Sequence, residues 1–357
     1  MGPAAETPQA AGSDPPLRGG SIRRAATDRL QIDDQPSLAS NPVVKRVILA
    51  SPRGFCAGVE RAIETVERTL ELYGPPVYVR KQIVHNAHVV RELEGRGAVF
   101  VESEADVPVG ERVVLSAHGV SPEVYKNALD RALTTIDATC PLVTKVHVQA
   151  RRYAAEGYAV ILIGHEGHEE VVGTVGEAPD AIVLVGSVEE AEALELPDPE
   201  RVAYVTQTTL SVDETAEIVR VLRRRFPGLH GPRKEDICYA TTNRQQAVKE
   251  MLDEIDLLLV VGSDNSSNSK RLVEVARAAG VESQLIDSEA AIEERWLDGV
   301  TTVGLTSGAS APEELVTGVC DWFRARGVHQ IEPFSTVVED VVFRLPVELR
   351  RAERSAA

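Results

Sequence analysis

The chain has 357 residues, 43 % of them hydrophobic, and its 38 Lys plus Arg against 55 Asp plus Glu give a formal net charge of −17. That length supplies cores for two or three domains and excludes a peptide module or a fibrous repeat, while the acidic balance argues against nucleic-acid and anionic-membrane partners. No apolar run reaches the roughly 18 to 20 residues of a membrane-spanning helix and the N-terminus lacks the order of a secretory signal, so the sequence reads as cytoplasmic.

Residues 1–42 are rich in Ala, Pro, Gly, Ser and Asp without apolar periodicity, the composition of a disordered tail. From Val43 onward a short β-branched run, a polar loop and an amphipathic stretch of helical period alternate, which predicts βα units and parallel sheets. Three segments, 46–70, 134–157 and 235–256, each run strand, cysteine, helix. Their predicted apolar helix faces are Val59, Ile63, Val66 and Leu70; Leu142, Val146, Ala150 and Tyr153; and Val248, Met251, Leu252 and Ile255.

The cysteines Cys56, Cys140 and Cys238 recur 84 and then 98 residues apart (140 − 56 and 238 − 140). A second βα unit in each repeat carries His85, His168 or Asn268, at offsets of 29, 28 and 30 from its cysteine (85 − 56, 168 − 140, 268 − 238). The third units carry His118, then Thr208 and Thr209, then Ser310. The pattern predicts three tandem, similar α/β domains with parallel sheets, over 43–140, 141–237 and 238–328, and a C-terminal tail over 329–357 in which VVFRLP is a short ordered segment. Ligands of parallel sheets collect beyond the carboxyl ends of the strands, so three such edges around a pseudo-threefold axis would form a trefoil with a central metal site.

Four cysteines are too few for a disulfide framework in a chain this long. Each of the three repeated ones opens a helix, and Pro141 at a first helical position makes Cys140 an N-cap, where the helix dipole favours thiolate. Thiols at equivalent points of three repeats point to a shared metal centre. Fe–S and zinc chemistry both fit, and three cysteines on a cubane would leave one iron open. Cys320 falls in helical phase with Leu315, Val316, Val319 and Phe323 and reads as core.

Ser310 with Glu313 fits a capping box, and Ser266, Ser267 and Asn268 precede an apolar helix; capped helix starts also offer free N–H groups to a phosphate. With few basic residues in these loops, a diphosphate would rest on imidazoles, hydroxyls and amides. Glu170 is a candidate general acid. Thr208 and Thr209 stay available because Ser211 and Glu214 make the capping box of the next helix.

Nine motifs in order, GFCAGV, VHN, SAHGVSP, DATCPLVTKVH, GHEGHEEVVGT, TQTTLSVDET, GPRKEDICYATTNRQ, GSDNSSNSKRL and TSGASAPE, resemble the 4-hydroxy-3-methylbut-2-enyl diphosphate reductase family over about Val44 to Phe334. The resemblance implies one [4Fe–4S] cluster held by Cys56, Cys140 and Cys238 with one open iron, and reduction of an allylic diphosphate to isopentenyl and dimethylallyl diphosphate, the last step of the non-mevalonate isoprenoid pathway. It further implies substrate binding by His85, His118, His168, Thr208, Thr209, Ser266, Ser267, Asn268 and Ser310, with catalysis by Glu170, Thr208 and His168. A ferredoxin- or flavodoxin-type protein would donate the electrons, docking on a local basic patch for which Arg151, Arg152, Lys234 and Arg223–Arg225 are candidates. The alternative is an Fe–S or zinc hydro-lyase or hydrolase acting on a phosphorylated metabolite. One departure stands at Glu169, where the family pattern has Pro; the Glu170 assignment follows the His-x-Glu register.

Overall fold

The computed structural model describes residues 44–356, so the tail predicted over 1–42 lies outside them. Strands form where β-branched and aliphatic residues run together. In chain order β1 (Arg46–Ser51) leads to α1 (Ala57–Tyr73), followed by β2 (Val77–Arg80), α2 (Ala87–Gly95), β3 (Ala98–Val101), β4 (Arg112–Leu115), α3 (Pro122–Asp130) and β5 (Thr134–Asp137). Then come α4 (Pro141–Ala155), β6 (Ala159–Ile163), α5 (Glu169–Val175), β7 (Ile182–Val185), α6 (Val188–Ala193), β8 (Val202–Thr206) and α7 (Val212–Arg225). The last third holds α8 (Tyr239–Met251), β9 (Leu257–Val261), α9 (Ser267–Ala278), β10 (Glu282–Ile286), β11 (Thr302–Ser307), α10 (Glu313–Ala325), β12 (Gln330–Ser335) and α11 (Val347–Ala356).

These strands make three sheets, ordered β3-β2-β4-β5, β7-β6-β8 and β10-β9-β11-β1-β12, and every pairing is parallel. Parallel strands are covered on both faces, which is why β9 reads LLLVV with all five residues buried. Three strands of each sheet (β3-β2-β4, β7-β6-β8 and β10-β9-β11) follow one order, so the internal repeat is structural as well as sequential: three small parallel α/β layers in a trefoil. A fourth position beside them is taken by β5 in the first sheet, by β1 in the third, and by a single bridge between Ala203 and His230 in the second. Each fourth position leads toward one of the three cysteines. The chain therefore leaves each sheet at its fourth position and starts the next domain with a cysteine-capped helix.

This topology revises the predicted boundaries in three places. The strand 46–51, assigned to the domain 43–140, belongs to the third sheet, paired with β11 from Arg46↔Thr302 to Leu49↔Leu305 and with β12 from Arg46↔Gln330 to Ser51↔Ser335. Val47 packs with Leu257 and Phe323 on one face and Ile48 with Met251 and Leu258 on the other. No strand precedes Cys238, where Pro232 to Ile237 run as an irregular loop. Nor is 329–357 a tail: β12 closes the third sheet, and α11 packs against α1 and β5 with Leu349 fully buried. VVFRLP has no regular secondary structure.

Two buried arginines fix the loops at the domain junction. Arg244 donates from Nη2 to the Gly54 carbonyl at 2.7 Å and from Nη1 to Glu339 Oε1 at 3.1 Å, while Arg61 donates to the carbonyls of Thr139 at 2.9 Å and Arg344 at 2.8 Å. The loops carrying Cys56 and Cys140 are thereby tied to the chain's C-terminal return, through charge-assisted hydrogen bonds in a low dielectric. Among the described residues no helix is long and apolar enough to cross a membrane.

Candidate active site at the domain junction

The three cysteines occupy equivalent positions. Cys56, Cys140 and Cys238 are the N-caps of α1, α4 and α8, with Pro141 in the first turn of α4. All three thiols are free and line one cavity of about 100 Å³. A side chain at Gly58 would enter the space between the sulfurs, since a Cβ there would lie 2.8 Å from Cys140 Sγ and 3.8 Å from Cys56 Sγ. Cys238 Sγ accepts from the Thr241 backbone N–H at 3.4 Å and lies 3.2 Å from Thr241 Oγ1.

The expected stabilisation of thiolate by the helix dipoles is overridden. Burial pushes the Cys56 thiol up, Cys140 up to about 12 and Cys238 up to about 11, with the neighbouring sulfurs adding to the last two. A dipole at the surface offers at most a fraction of an elementary charge, too little to offset desolvation of three clustered anions.

Three imidazoles from three loops line the same cavity. His85 follows β2, His118 follows β4, and His168 caps α5; the His85 and His118 rings stack at 3.9 Å, with His168 edge-on at 5.5 and 6.1 Å. His168 Nδ1 accepts the Glu170 backbone N–H at 3.1 Å, which fixes the tautomer and leaves Nε2 free to donate. Burial, then the neighbouring imidazoles, pull His85 down to about 2 and His168 down to about 4.

A depressed value in the folded state means that the neutral rings are favoured there. That stability is complete above the unfolded-state value of about 6.5 and is lost as pH falls, through about 4 for His168 and about 2 for His85. Stability is therefore expected to decline steadily below about pH 6.5, and His168→Gln should flatten the decline. Urea midpoints at a series of pH values check this, and an unchanged slope in the variant would contradict it.

Glu170, in the first turn of α5, is buried, and its Oε1 accepts the Thr208 backbone N–H at 3.2 Å. Desolvation raises its carboxyl above the usual range, so it is suited to hold a proton. Ser266 caps α9 by accepting from the Ser269 N–H at 3.3 Å, and Ser267 Oγ donates to the Thr209 carbonyl at 2.9 Å. Asn268 bridges two loops, accepting from the Ala309 N–H at 2.8 Å and donating to Thr241 Oγ1 at 3.1 Å. Ser310 does not cap its helix: Pro312 stands at that position, and Ser310 Oγ donates to the His85 carbonyl at 3.0 Å instead.

All thirteen residues singled out from the sequence line this one cavity. Sequence reasoning missed Thr241, although its place three residues after Cys238 in a helix's first turn was a usable signal. It also missed Tyr239, whose hydroxyl accepts the Ala57 N–H at 3.2 Å, and Phe343 of the C-terminal return, for which no local signal exists. Of the basic candidates for partner docking, Arg151, Arg152 and Arg224 are already ion-paired, with Glu177, Glu156 and Glu192.

A cavity built from the sheet edges of three α/β layers, each giving one free thiol, and lined also by a buried carboxyl and imidazoles, defines an α/β enzyme whose chemistry is shared between its domains. Comparison with known proteins agrees. Residues 47–324 match the LytB protein family. The chain is 63 % identical over 308 residues to the 4-hydroxy-3-methylbut-2-enyl diphosphate reductase of Acidothermus cellulolyticus, covering 86 % of this chain and 91 % of that protein. It is 59 % identical over 317 residues to the corresponding reductase of Mycolicibacterium paratuberculosis, covering 88 % and 96 %. Among solved structures, the E-1-hydroxy-2-methyl-but-2-enyl-4-diphosphate reductase from Plasmodium falciparum superposes with a TM-score of 0.85 at 41 % identity, covering 88 % of this chain and 99 % of that one. The chain belongs to the LytB family, and it is a reductase.

Proposed function

We propose that this protein reduces (E)-4-hydroxy-3-methylbut-2-enyl diphosphate to isopentenyl and dimethylallyl diphosphate, using a [4Fe–4S] cluster held by Cys56, Cys140 and Cys238. The observation that carries the reading is the meeting of three free thiols, three imidazoles and one buried carboxyl in a single cavity. The residues fit the group. Gly58 keeps space beside two of the sulfurs, and three free thiols are the donor set such a cluster takes. When bound, the cluster supplies low-potential electrons and an open coordination position near the substrate.

The remaining work falls to side chains. The overall change joins substrate, two electrons and two protons to give the deoxygenated diphosphate and water. His85, His118 and His168, with the hydroxyls of Ser266 and Ser310 and the amide of Asn268, receive the diphosphate, because among the described residues no Lys or Arg lines the cavity. Glu170 holds a proton for the departing hydroxyl oxygen, oriented by the Thr208 N–H and beside the Thr208 hydroxyl. Val59, Val84 and Val143 form apolar wall around the hydrocarbon and exclude water. An acidic ferredoxin- or flavodoxin-type donor supplies the electrons.

Gly58→Ala is expected to fold but to push Cys140 Sγ aside, lowering affinity for the metal group about 10- to 100-fold; iron per chain after anaerobic gel filtration reads this out, and full retention would contradict it. The function is tested by anaerobic turnover of the hydroxylated diphosphate with a chemically reduced donor. The two isoprenoid diphosphates should form only when the donor is reduced. Turnover without donor would instead support the hydro-lyase or hydrolase reading.

A further inference from the structure

The motif DATCPLVTKVH ends on His147, which does not line the cavity. It lies two turns into α4 from Cys140, buried together with Glu177 at side-chain exposures of 7 % and 6 %. Burial alone would raise the Glu177 carboxyl, but hydrogen bonds from His147 and Arg151 outweigh it and keep it below the usual range. A carboxylate only accepts, so His147 Nδ1 donates to Glu177 Oε1 at 3.0 Å while Arg151 Nη1 donates to Oε2 at 2.7 Å. The other edge of the ring meets backbone, and Nε2 has no hydrogen-bond partner among the described residues. A Cβ on Gly119 would lie 3.1 Å from Cε1 and Nε2 of that ring and from Val143 Cγ1. A Cβ on Gly173 of α5 would lie 3.2 Å from Cε1 and 3.3 Å from the Gly119 carbonyl. Gly119 also has a φ of +79°, which favours glycine. The residue after His118 is thus wedged, without a side chain of its own, between α4 and α5.

His118 has little else to aim it. Its Nδ1 finds no hydrogen-bond partner among the described residues, with Glu169 Oε2 at 3.4 Å and out of alignment. The ring's direction therefore comes from stacking on His85 at 3.9 Å and from its own backbone. We propose that His147, clamped by Glu177, is a positioning residue for diphosphate binding: its ring fixes the Gly119 peptide and, through it, the direction of the His118 ring. The inference rests on the diphosphate reading above. Close packing leaves a wedged peptide one position, and removing the wedge frees it. Glu170 is held differently, by α5 and by the Thr208 N–H at 3.2 Å, and keeps its place without His147. The clamp accordingly bears on binding more than on proton delivery.

A plainer role for His147 is to fill space between α4 and α5, and its loss would then cost stability alone. The two roles separate by readout. The probe is inorganic diphosphate, titrated calorimetrically into the anaerobically purified holoenzyme, beside KM and kcat for the hydroxylated diphosphate and the unfolding temperature. His147→Ala should raise the diphosphate Kd and KM about tenfold, with kcat within about threefold of wild type. Glu177→Ala, which keeps the ring and removes only its clamp, should do the same, and it carries the test if His147→Ala fails to fold. The two residues act as one unit, so the double variant should bind no more weakly than either single one. Glu177→Gln retains an acceptor oxygen for Nδ1 and should restore binding to within about threefold of wild type, and Arg151→Ala should match wild type. Unfolding temperatures that fall while the diphosphate Kd of the folded protein stays at the wild-type value overturn the proposal. So do additive losses in the double variant, or a loss that falls on kcat with KM unchanged. If the wild type binds diphosphate and turns over while the variants match it, only this inference fails; a wild type that binds no diphosphate overturns both readings.

Discussion

Replacing Cys56, Cys140 or Cys238 singly by serine is expected to abolish retention of the metal group and to reduce turnover by more than about 10³-fold, whereas Cys320→Ser should leave both intact. The contrast follows from position. The first three thiols cap helices that start at one cavity, each drawn from a different domain, so removing one leaves two anchors on separate layers. Cys320 is buried in α10 against Phe323, Val316 and Val319, in the core of the third sheet and outside the cavity lining. Iron and sulfide content of the four variants, measured beside circular dichroism, checks this. Full metal content in any of the first three, or its loss in Cys320→Ser with the fold preserved, would break the assignment.

Glu170→Gln is expected to lower kcat by about 10²- to 10³-fold while KM moves by less than about threefold. Glutamine keeps the volume and still accepts the Thr208 N–H, so the cavity's shape persists and only the transferable proton is lost. The raised carboxyl also sets the sign of the pH dependence: wild-type turnover should fall as pH rises and Glu170 loses its proton, and the variant should lack that limb. A variant with kcat within about threefold of wild type would remove Glu170 from proton delivery.

The sequence was most informative where structure depends on neighbours along the chain. A cysteine followed by a helical apolar stripe locates a helix start, and parallel sheets place such starts at a common edge, which is why Cys56, His85, His168 and Asn268 could be grouped from spacing alone. It was least informative where pairing is long-range. RVILAS is apolar on both faces and would suit any of the three sheets; its partners Thr302 to Leu305 and Gln330 to Ser335 lie some 250 residues or more away in sequence. Ser310 misled for a local reason, because the serine two residues before Pro312 fits a capping template while the backbone enters the helix at the proline. Phe343 reaches the cavity only because Arg61 and Arg244 hold the segment on either side of it. A helix terminus is visible in sequence whereas burial, which raises the Cys140 thiol against the dipole, is not.

What Cys56, Cys140 and Cys238 hold decides between reductive and hydrolytic chemistry in this cavity. Iron and acid-labile sulfide per chain, measured after anaerobic purification together with the visible absorption spectrum, should come to about four of each. Zinc without sulfide would contradict the cluster, return Cys56, Cys140 and Cys238 to the role of zinc ligands, and favour hydrolytic over reductive chemistry in this cavity.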